Sequence, residues 1–284
     1  MHKNVVLLAE TGSDLTPEMA EKYGVWLVPM HVSMDGETYD DGTFPAEKVC
    51  AYYERTGKVP QTSASMPVDF APVFDEIHAK YPDKKILHLA YSAVTTCSYQ
   101  NAILAAEGRD YVISVDTRHV SVGQGAVVIE TARMLEQNPD ITAEEAAAKV
   151  REIADKTEMC FIPNNLDYLR AGGRVSNVVA LTGNLLGLHP CIEIVDGKLM
   201  ASKKYRGSFD KVIPRLLSDF DSNHGLDRDH LYFIWAPGLS DEHKALAEKT
   251  AREMGFRSFT WVKTGCVITC HGGAGAFGIV GKVN

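Results

Sequence analysis

The chain has 284 residues, of which 45% are hydrophobic and 23% are charged, and its formal net charge is −8. The length predicts two domains, and the composition is that of a soluble globular protein, which excludes extended disorder. The acidic balance argues against nucleic acid as a partner, and no stretch is long and apolar enough to predict a signal peptide or a stable membrane insertion.

The first half alternates short apolar runs with helical patterns, which predicts an α/β layer structure with parallel strands. Strands are expected over residues 5–9, 25–32, 86–90 and 111–115, and helices over 45–55, 65–80, 96–106 and 125–135. Thr16 caps a further helix that Gly24 ends, and residues 34–37 predict a hairpin turn. Thr142 and Glu145 form a capping box that begins a helix reaching about residue 156.

The pattern changes near residues 157–163, where we place the domain boundary. Residues 1–160 are assigned to an N-terminal α/β domain and 161–284 to a C-terminal α/β domain. The second domain is predicted to open with a glycine-rich loop and a helix over 178–186. A strand pair over 192–195 and 199–202 is joined by Asp196 and Gly197. Helices over 211–220 and 241–254 and strands over 231–235, 258–262 and 266–270 complete the prediction.

Residues 271–278 read His-Gly-Gly-Ala-Gly-Ala-Phe-Gly, and from Gly273 they match the dinucleotide fingerprint G-x-G-x-x-G. That fingerprint must open a helix and be followed by a further strand, yet only six residues follow Gly278. We therefore predict no nicotinamide or flavin cofactor. Directly after the predicted strand 266–270, the imidazole and the glycine N–H groups can instead bind an anion. A glycine-rich turn with an incidental histidine is the alternative.

The six cysteines are scattered without a C-x-x-C pair, which is typical of reduced thiols in a cytoplasmic protein. Cys266, Cys270 and His271 lack a second ligand pair at a familiar spacing, so small core cysteines are favoured and no metal is predicted. No G-x-x-x-x-G-K motif occurs, so ATP binding by a P-loop is not expected.

Four hydroxyl- or glycine-rich segments follow predicted strands, where α/β proteins usually place ligand sites. They are residues 61–67, 90–100, 165–176 and the loop that begins at His271. Together they resemble the DegV family of bacterial fatty-acid-binding proteins, and the resemblance spans essentially the whole chain. Its most specific part runs from Asn165 through the Gly-Gly-Arg motif at 172–174 to the Asp-Gly-Lys turn at 196–198.

The sequence departs from the family's motifs at several places. Glu10 stands where the family has aspartate, and Thr-Ser-Ala-Ser at 62–65 replaces Thr-Ser-Gln-Pro-Ser. Residues 92–99 read Ser-Ala-Val-Thr-Thr-Cys-Ser-Tyr in place of Ser-Ser-x-x-Ser-Gly-Thr-Tyr, and the final loop reads His-Gly-Gly-Ala-Gly in place of His-Thr-Gly-Pro-Gly. These changes alter the reach of the hydroxyls. They leave another amphipathic carboxylic acid as an alternative ligand.

The resemblance implies a three-layer α/β/α N-terminal domain with a parallel sheet and a two-layer C-terminal domain with a mixed sheet. A long-chain fatty acid would lie in a tunnel between the two domains. The residues that the resemblance places at its carboxylate are Thr62, Ser92, His271, Gly272 and Gly273, with Ser63 and Thr96 as further candidates. Hydroxyls and an imidazole can satisfy a buried carboxylate while the tail stays in apolar surroundings.

Family members of known role present the fatty acid to a separate ATP-binding fatty acid kinase, which forms an acyl phosphate, so the resemblance implies a ligand such as palmitate or oleate and a role in phospholipid metabolism. By the same resemblance, Arg174 with Gly172 and Gly173 would serve the contact with that kinase or the phosphoryl transfer. The chain is then a lipid-binding protein that presents a substrate, and not itself an enzyme.

Each candidate residue also has a structural interpretation. Ser65 and Ser92 are placed to cap the helices that follow them, and Arg174 can form a surface ion pair of little energetic value. A hydrolase is the remaining alternative, because Ser92, Asp116 and His271 occur in the chain order of an α/β-hydrolase triad. The segment around Ser92 lacks the glycines of a G-x-S-x-G elbow, which argues against this alternative.

Overall fold

The structure is a computed structural model that describes residues 2–164, 166–174 and 187–284. The chain divides into two compact units: the first takes its residues from 1–43 and 62–155, and the second from 44–61 and 156–284. Residues 44–61 thus belong with the second half of the chain, and the predicted boundary at 160/161 stays a prediction. Within these described ranges, no helix is long and apolar enough to cross a membrane.

The elements are numbered in chain order. The strands are β1 (Val5–Glu10), β2 (Val25–Val28), β3 (His31–Met34), β4 (Glu37–Asp40), β5 (Gln61–Ser63), β6 (Lys85–Ala90), β7 (Val112–Asp116), β8 (Thr157–Ile162), β9 (Leu188–Val195), β10 (Lys198–Arg206), β11 (Leu226–Trp235), β12 (Ser258–Lys263) and β13 (Phe277–Val283). The helices are α1 (Pro17–Tyr23), α2 (Glu47–Thr56), α3 (Pro67–Lys80), α4 (Ser98–Ala105), α5 (Ser121–Gln137), α6 (Ala143–Asp155), α7 (Leu166–Gly172), α8 (Phe209–His224), α9 (Asp241–Glu253) and α10 (Cys266–Gly272).

The first unit is built on a parallel sheet in the order β2-β1-β6-β7. Val6 and Leu8 alternate along β1 and pack on one face of the sheet with Phe70 and Phe74 of α3 and Ala102 of α4. Helices α5 and α6 pack on the same strands as the third layer. This is the predicted three-layer α/β/α arrangement with a parallel sheet, so the prediction is confirmed.

Short-range signals in the first unit have the predicted effect. The Thr16 hydroxyl accepts the Met19 N–H at 3.2 Å at the start of α1, and Gly24 ends this helix with φ +65°. Thr142 and Glu145 exchange the two hydrogen bonds of a capping box before α6. The single strand predicted over 25–32 is wrong, because β2 ends at Val28 and β3 begins at His31. Strand β3 belongs to a small second sheet of order β4-β3-β5.

The second unit contains a mixed sheet in the order β10-β9-β8-β13-β11-β12. Only β11 and β12 pair in parallel among these strands, and the other neighbours are antiparallel. Helices α8 and α9 bury Val212, Leu216 and Ala247 in one core with Phe233 and Phe277 of the sheet. The predicted mixed sheet of the C-terminal domain is confirmed. The tight turn between β9 and β10 has positive φ at Asp196 (49°) and at Gly197 (77°), as a two-residue hairpin turn of this kind requires.

The strand predicted over residues 266–270 is wrong: these residues begin helix α10. Gly265 caps the helix, and the Thr269 N–H donates to its carbonyl at 3.0 Å. Every residue from Cys266 to Cys270 is buried, including the polar Thr269, so the run has no exposed face from which a helical period could be read. His271 therefore lies in the last turn of a helix and not after a strand.

Strands β4 and β5 of the small sheet were not predicted, and further differences fall in the second unit. Strands β8 and β13 were not predicted, although β13 pairs with β8 on one side and β11 on the other. Part of the predicted glycine-rich loop is helix α7. The helix predicted over 178–186 lies outside the described residues.

Candidate functional site

The loop of residues 91–97, between β6 and α4, carries Ser92 and Thr96 at the carboxyl end of the parallel sheet. Ser92 is fully buried, and its N–H donates to the His119 carbonyl at 2.9 Å. Its carbonyl accepts the N–H (3.1 Å) and the hydroxyl (2.9 Å) of Thr95. The N-cap of α4 is Cys97, so Ser92 does not cap that helix. Thr96 is half-buried and lies within the same loop.

Thr62 and Ser63 lie on β5, at the edge of the small sheet of the first unit, where Thr62 is half-buried and Ser63 exposed. Ser65 does not cap the next helix, because its hydroxyl donates to the Pro29 carbonyl at 2.7 Å. The Asn101 side chain donates to the Ser65 carbonyl at 2.8 Å. Since Asn101 belongs to α4, this bond joins the 62–65 segment to the helix that follows the Ser92 loop.

A histidine between two carboxylates lies where the small sheet meets the start of α3. His31 contacts Asp69 through Nε2 and Asp40 through Nδ1, each at 2.9 Å. Asp69 also accepts the Met66 N–H at the start of α3, at 2.6 Å. Burial alone would lower the pKa of His31, but the hydrogen bonds and charges of Asp69 and Asp40 outweigh it, so this pKa is raised above 6.5. The His31 ring thereby links β3 to the start of α3.

Glu10, at the end of β1, is a further residue near the Ser92 loop that the sequence did not identify as part of a site. Its Oε2 accepts the Tyr91 N–H (3.0 Å) and the Gln124 amide (2.8 Å), and its Oε1 accepts the Ser98 hydroxyl (2.8 Å). His88 Nε2 lies 3.3 Å from Oε1. The one signal in the sequence is the replacement of the family's aspartate at this position.

Asp116, at the end of β7, also holds backbone near Ser92. Its Oδ1 accepts the N–H of Ala93 at 3.2 Å and of Arg118 at 2.9 Å. In a hydrolase triad this carboxylate would instead orient the catalytic imidazole. Its bonds to two backbone N–H groups favour a structural role.

In the second unit, His271 packs directly against the end of α7. A Cβ atom placed on Gly172 would lie 2.3 Å from His271 Nδ1, so the imidazole occupies the space of a side chain at position 172. Gly173 follows with φ +61°. Arg174 Nη1 donates to the Gly172 carbonyl at 2.7 Å, which places the guanidinium beside the same turn. The predicted His271 and Gly-Gly-Arg groups therefore come together.

The loop of residues 271–275 is fitted closely to its neighbours. Gly273 has φ +79°, and a Cβ there would lie 2.7 Å from the ring of Tyr168 on α7. Gly275 has φ +73°, its N–H donates to the Pro237 carbonyl at 2.8 Å, and Asn164 leaves no room for a side chain. The residues that follow form strand β13, so the dinucleotide fingerprint lacks the helix that it needs.

The surroundings of His271 keep its side chain neutral. Burial disfavours the imidazolium, and the positive charge of Arg174 adds to this effect, so the pKa of His271 falls to about 4. Near neutral pH the ring therefore offers one N–H donor and one acceptor nitrogen. A neutral imidazole with an adjacent guanidinium suits an anionic group that accepts hydrogen bonds.

The cysteines near His271 are packed in the interior of the second unit. Cys266 Sγ lies 3.1 Å from the Phe44 carbonyl, and Cys266 and Cys270 are both buried. In the part of the chain that the structure describes, no three His, Cys, Asp or Glu side chains are grouped so that they could hold a metal ion. The burial of both thiols favours their interpretation as small core residues.

Comparisons with known proteins identify the family of this chain. A family model described as "Uncharacterised protein, DegV family" matches residues 4–282. A DegV domain-containing protein of Caldanaerobacter subterraneus subsp. tengcongensis is 27% identical over 98% of each chain. A DegV family protein from Thermus thermophilus, described by its fatty acid binding, is 25% identical over the whole of both chains with a TM-score of 0.88. A protein from Thermotoga maritima, described as revealing a fatty acid binding function, is 26% identical over both whole chains with a TM-score of 0.83. Because the family model spans nearly the entire sequence, this chain belongs to the DegV family.

Proposed function

We propose that this protein binds a long-chain fatty acid and presents its carboxylate to a separate ATP-dependent fatty acid kinase in the cytoplasm, which forms an acyl phosphate. The observation that carries the proposal is the neutral His271, held in a glycine-lined turn beside Arg174. The fatty acid binding described for the proteins from Thermus thermophilus and Thermotoga maritima supports the ligand class.

The proposed head-group contacts come from donors that are neutral. A buried carboxylate is costly unless several hydrogen bonds satisfy it. The imidazole of His271 and the hydroxyls of Thr62 and Ser92 can each donate one, and the N–H groups of Gly272 and Gly273 can approach closely because no side chain intervenes. Ser63 and Thr96 stand as further candidates on the same two segments as Thr62 and Ser92.

The tail supplies most of the affinity in this proposal, and the head group supplies the orientation. Each buried methylene contributes about 0.8 kcal/mol, so a sixteen-carbon chain offers on the order of 11 kcal/mol before the entropy costs of binding. A ligand with the same tail and no carboxylate should therefore still bind, but with less preference for one orientation.

Arg174, with Gly172 and Gly173, is proposed to act at the kinase step. Its bond to the Gly172 carbonyl holds the guanidinium beside the turn that also contacts His271. An arginine can pair with phosphate through two parallel hydrogen bonds, which suits a group that transfers to the fatty acid carboxylate. The sequence has no P-loop, so ATP is assigned to the partner.

Native mass spectrometry of the purified protein tests the ligand. We expect a bound species with the mass of a long-chain fatty acid, or uptake of palmitate or oleate added to the stripped protein. A bound species of another amphipathic carboxylic acid would correct the ligand and keep the site. A protein that carries no acid and takes up none would refute the proposal.

Two substitutions test the division of roles. We expect His271→Ala to weaken fatty acid binding, and Arg174→Ala to leave binding intact while blocking acyl phosphate formation with a kinase. Arg170→Ala is the matched control, because Arg170 lies on α7 just before the Gly-Gly-Arg turn and forms a surface ion pair with Asp167 at 3.6 Å. Equal loss of fatty acid binding in the His271 and Arg174 variants would contradict the proposed roles.

A further inference from the structure

The Glu10 carboxylate is the centre of a fully buried polar network in the first unit. Glu10, His88, Ser98 and Gln124 are each 0% exposed. The two carboxylate oxygens accept three hydrogen bonds, one each from Tyr91, Ser98 and Gln124, and His88 Nε2 lies 3.3 Å from Oε1. Burial alone would raise the pKa of Glu10, but the His88 ring and the bonds from Ser98 and Tyr91 outweigh it, so the pKa is lowered and the carboxylate stays ionised.

Two of these donors are the two ends of the loop that carries Ser92 and Thr96. The Tyr91 N–H, which binds Oε2, immediately precedes Ser92. The Ser98 hydroxyl, which binds Oε1, lies at the first residue of α4. One side chain of β1 therefore fixes both the entry and the exit of this loop. The packing of the Tyr91 ring against Gly12, where a Cβ would lie 3.1 Å away, adds a contact on the same side.

Stability alone does not explain why a carboxylate occupies this buried position. A buried ionic cluster is often no more stabilising than well-packed apolar side chains of the same volume. What a carboxylate adds is a fixed distance between its two oxygens and the donors that they hold. Here those donors bracket the loop that supplies Ser92 to the proposed head-group site.

We propose that Glu10 is a positioning residue that sets the location of Ser92 and Thr96, and through them the preference of the site for a carboxylate head group. This role rests on the proposed fatty acid binding. Glu10 is one methylene longer than the aspartate of the family pattern, so its oxygens reach about 1.5 Å further from β1. The loop is expected to sit correspondingly further from the strand than an aspartate would hold it.

The test compares palmitate with 1-hexadecanol, which has the same chain length and no carboxylate. The dissociation constants of both ligands are measured for the full-length wild type and for Glu10→Gln, Glu10→Asp and Ser98→Ala. In Glu10→Gln an amide NH₂ replaces one oxygen and faces donors, so one end of the loop is released. We expect its preference for palmitate over hexadecanol to fall by about tenfold, with hexadecanol binding nearly unchanged.

The other variants make the test specific. Glu10→Asp keeps the charge and both oxygens, so it should retain more of the palmitate preference than Glu10→Gln. Ser98→Ala removes one donor and should lower the preference even if the Glu10 variants fold poorly. Thr131→Val is the matched control: Thr131 is also fully buried in the first unit, and its hydroxyl donates only to the Val127 carbonyl of its own helix. It should lower Tm and leave the preference unchanged.

The measurements distinguish a failure of the positioning role of Glu10 from a failure of the proposed fatty acid binding. If Glu10→Gln and Ser98→Ala lower Tm but keep the wild-type ratio of the two dissociation constants, Glu10 is structural only and the positioning role is overturned. If the wild type binds neither palmitate nor hexadecanol, the proposed function itself fails and the role of Glu10 fails with it. A shifted carboxyl ¹³C resonance of bound labelled palmitate in the variants would support the positioning role directly.

Discussion

Replacing Gly172 with alanine should move His271 out of its position. The new Cβ would lie 2.3 Å from His271 Nδ1 and 3.1 Å from its Cε1, whereas ordinary contacts begin at 3.4 Å. The ring must therefore shift by about 1 Å, because a closely packed turn cannot absorb the overlap. Losing one hydrogen bond to a charged ligand costs about 1.5–3 kcal/mol, which corresponds to roughly 10- to 150-fold weaker binding.

Isothermal titration calorimetry with palmitate measures this change, and Gly173→Ala is the matched control. Gly173 is the next residue, and a Cβ there would meet nothing within 4 Å. Its φ of +61° strains an alanine by about 1–2 kcal/mol, so the control should lower Tm without displacing His271. We expect Gly173→Ala to bind palmitate with nearly the wild-type dissociation constant.

Two results would refute the reasoning. If Gly172→Ala shifts the NMR signals of the His271 ring and still binds palmitate as tightly as the wild type, His271 does not hold the carboxylate. If both glycine variants lose affinity equally, the integrity of the turn controls binding and the position of the imidazole does not.

Three further predictions concern charge and stability. Arg174→Gln removes the positive charge beside His271, so the pKa of His271 should rise above its value of about 4 in an NMR titration; an unchanged pKa would mean that burial alone sets it. Asp69→Asn should lower the raised pKa of His31. Because the stability from this imidazolium is present below pH 6.5 and lost as pH rises through the raised pKa, the unfolding penalty of Asp69→Asn should be larger at about pH 5.5 than at about pH 8.5, and an equal penalty would exclude the charge effect. Thr142→Ala should cost about 1 kcal/mol of unfolding free energy in urea through loss of the helix cap, with palmitate affinity unchanged.

Sequence signals that act over a few residues predicted the local structure well. The cap at Thr16, the capping box at Thr142 and the turn at Asp196 each depend on neighbours within three or four positions, and each has the predicted effect. The family resemblance extended this local information to the fold class. It could do so because the resemblance covers nearly all of the chain.

The failures occurred where the tertiary environment decides the structure. Residues 266–270 are rich in β-branched and apolar side chains, yet they are helical and all buried, so neither propensity nor period identifies the helix. The pairing of β13 with β8 joins residues more than a hundred positions apart, and its two glycines weaken the strand signal.

The candidate site was predicted only in part for the same reason. Ser92 and His271 were singled out through the resemblance, and their roles stay proposals. The sequence could not show that Gly172 leaves space for the His271 ring, because these two residues are distant in the chain. The Glu10 network likewise gathers residues from four separate segments, which no local pattern connects.

The central place of β13 bears on how the second unit is made in the cell. Strand β13 is synthesised after every other strand of this sheet. The edges of β8 and β11 that pair with β13 therefore have no partner until residues 277–283 have left the ribosome. Until then both strands expose unpaired backbone, which invites pairing with other chains. The glycine turn that follows His271 immediately precedes this late strand, so the turn is not held against the finished sheet until synthesis has passed residue 283.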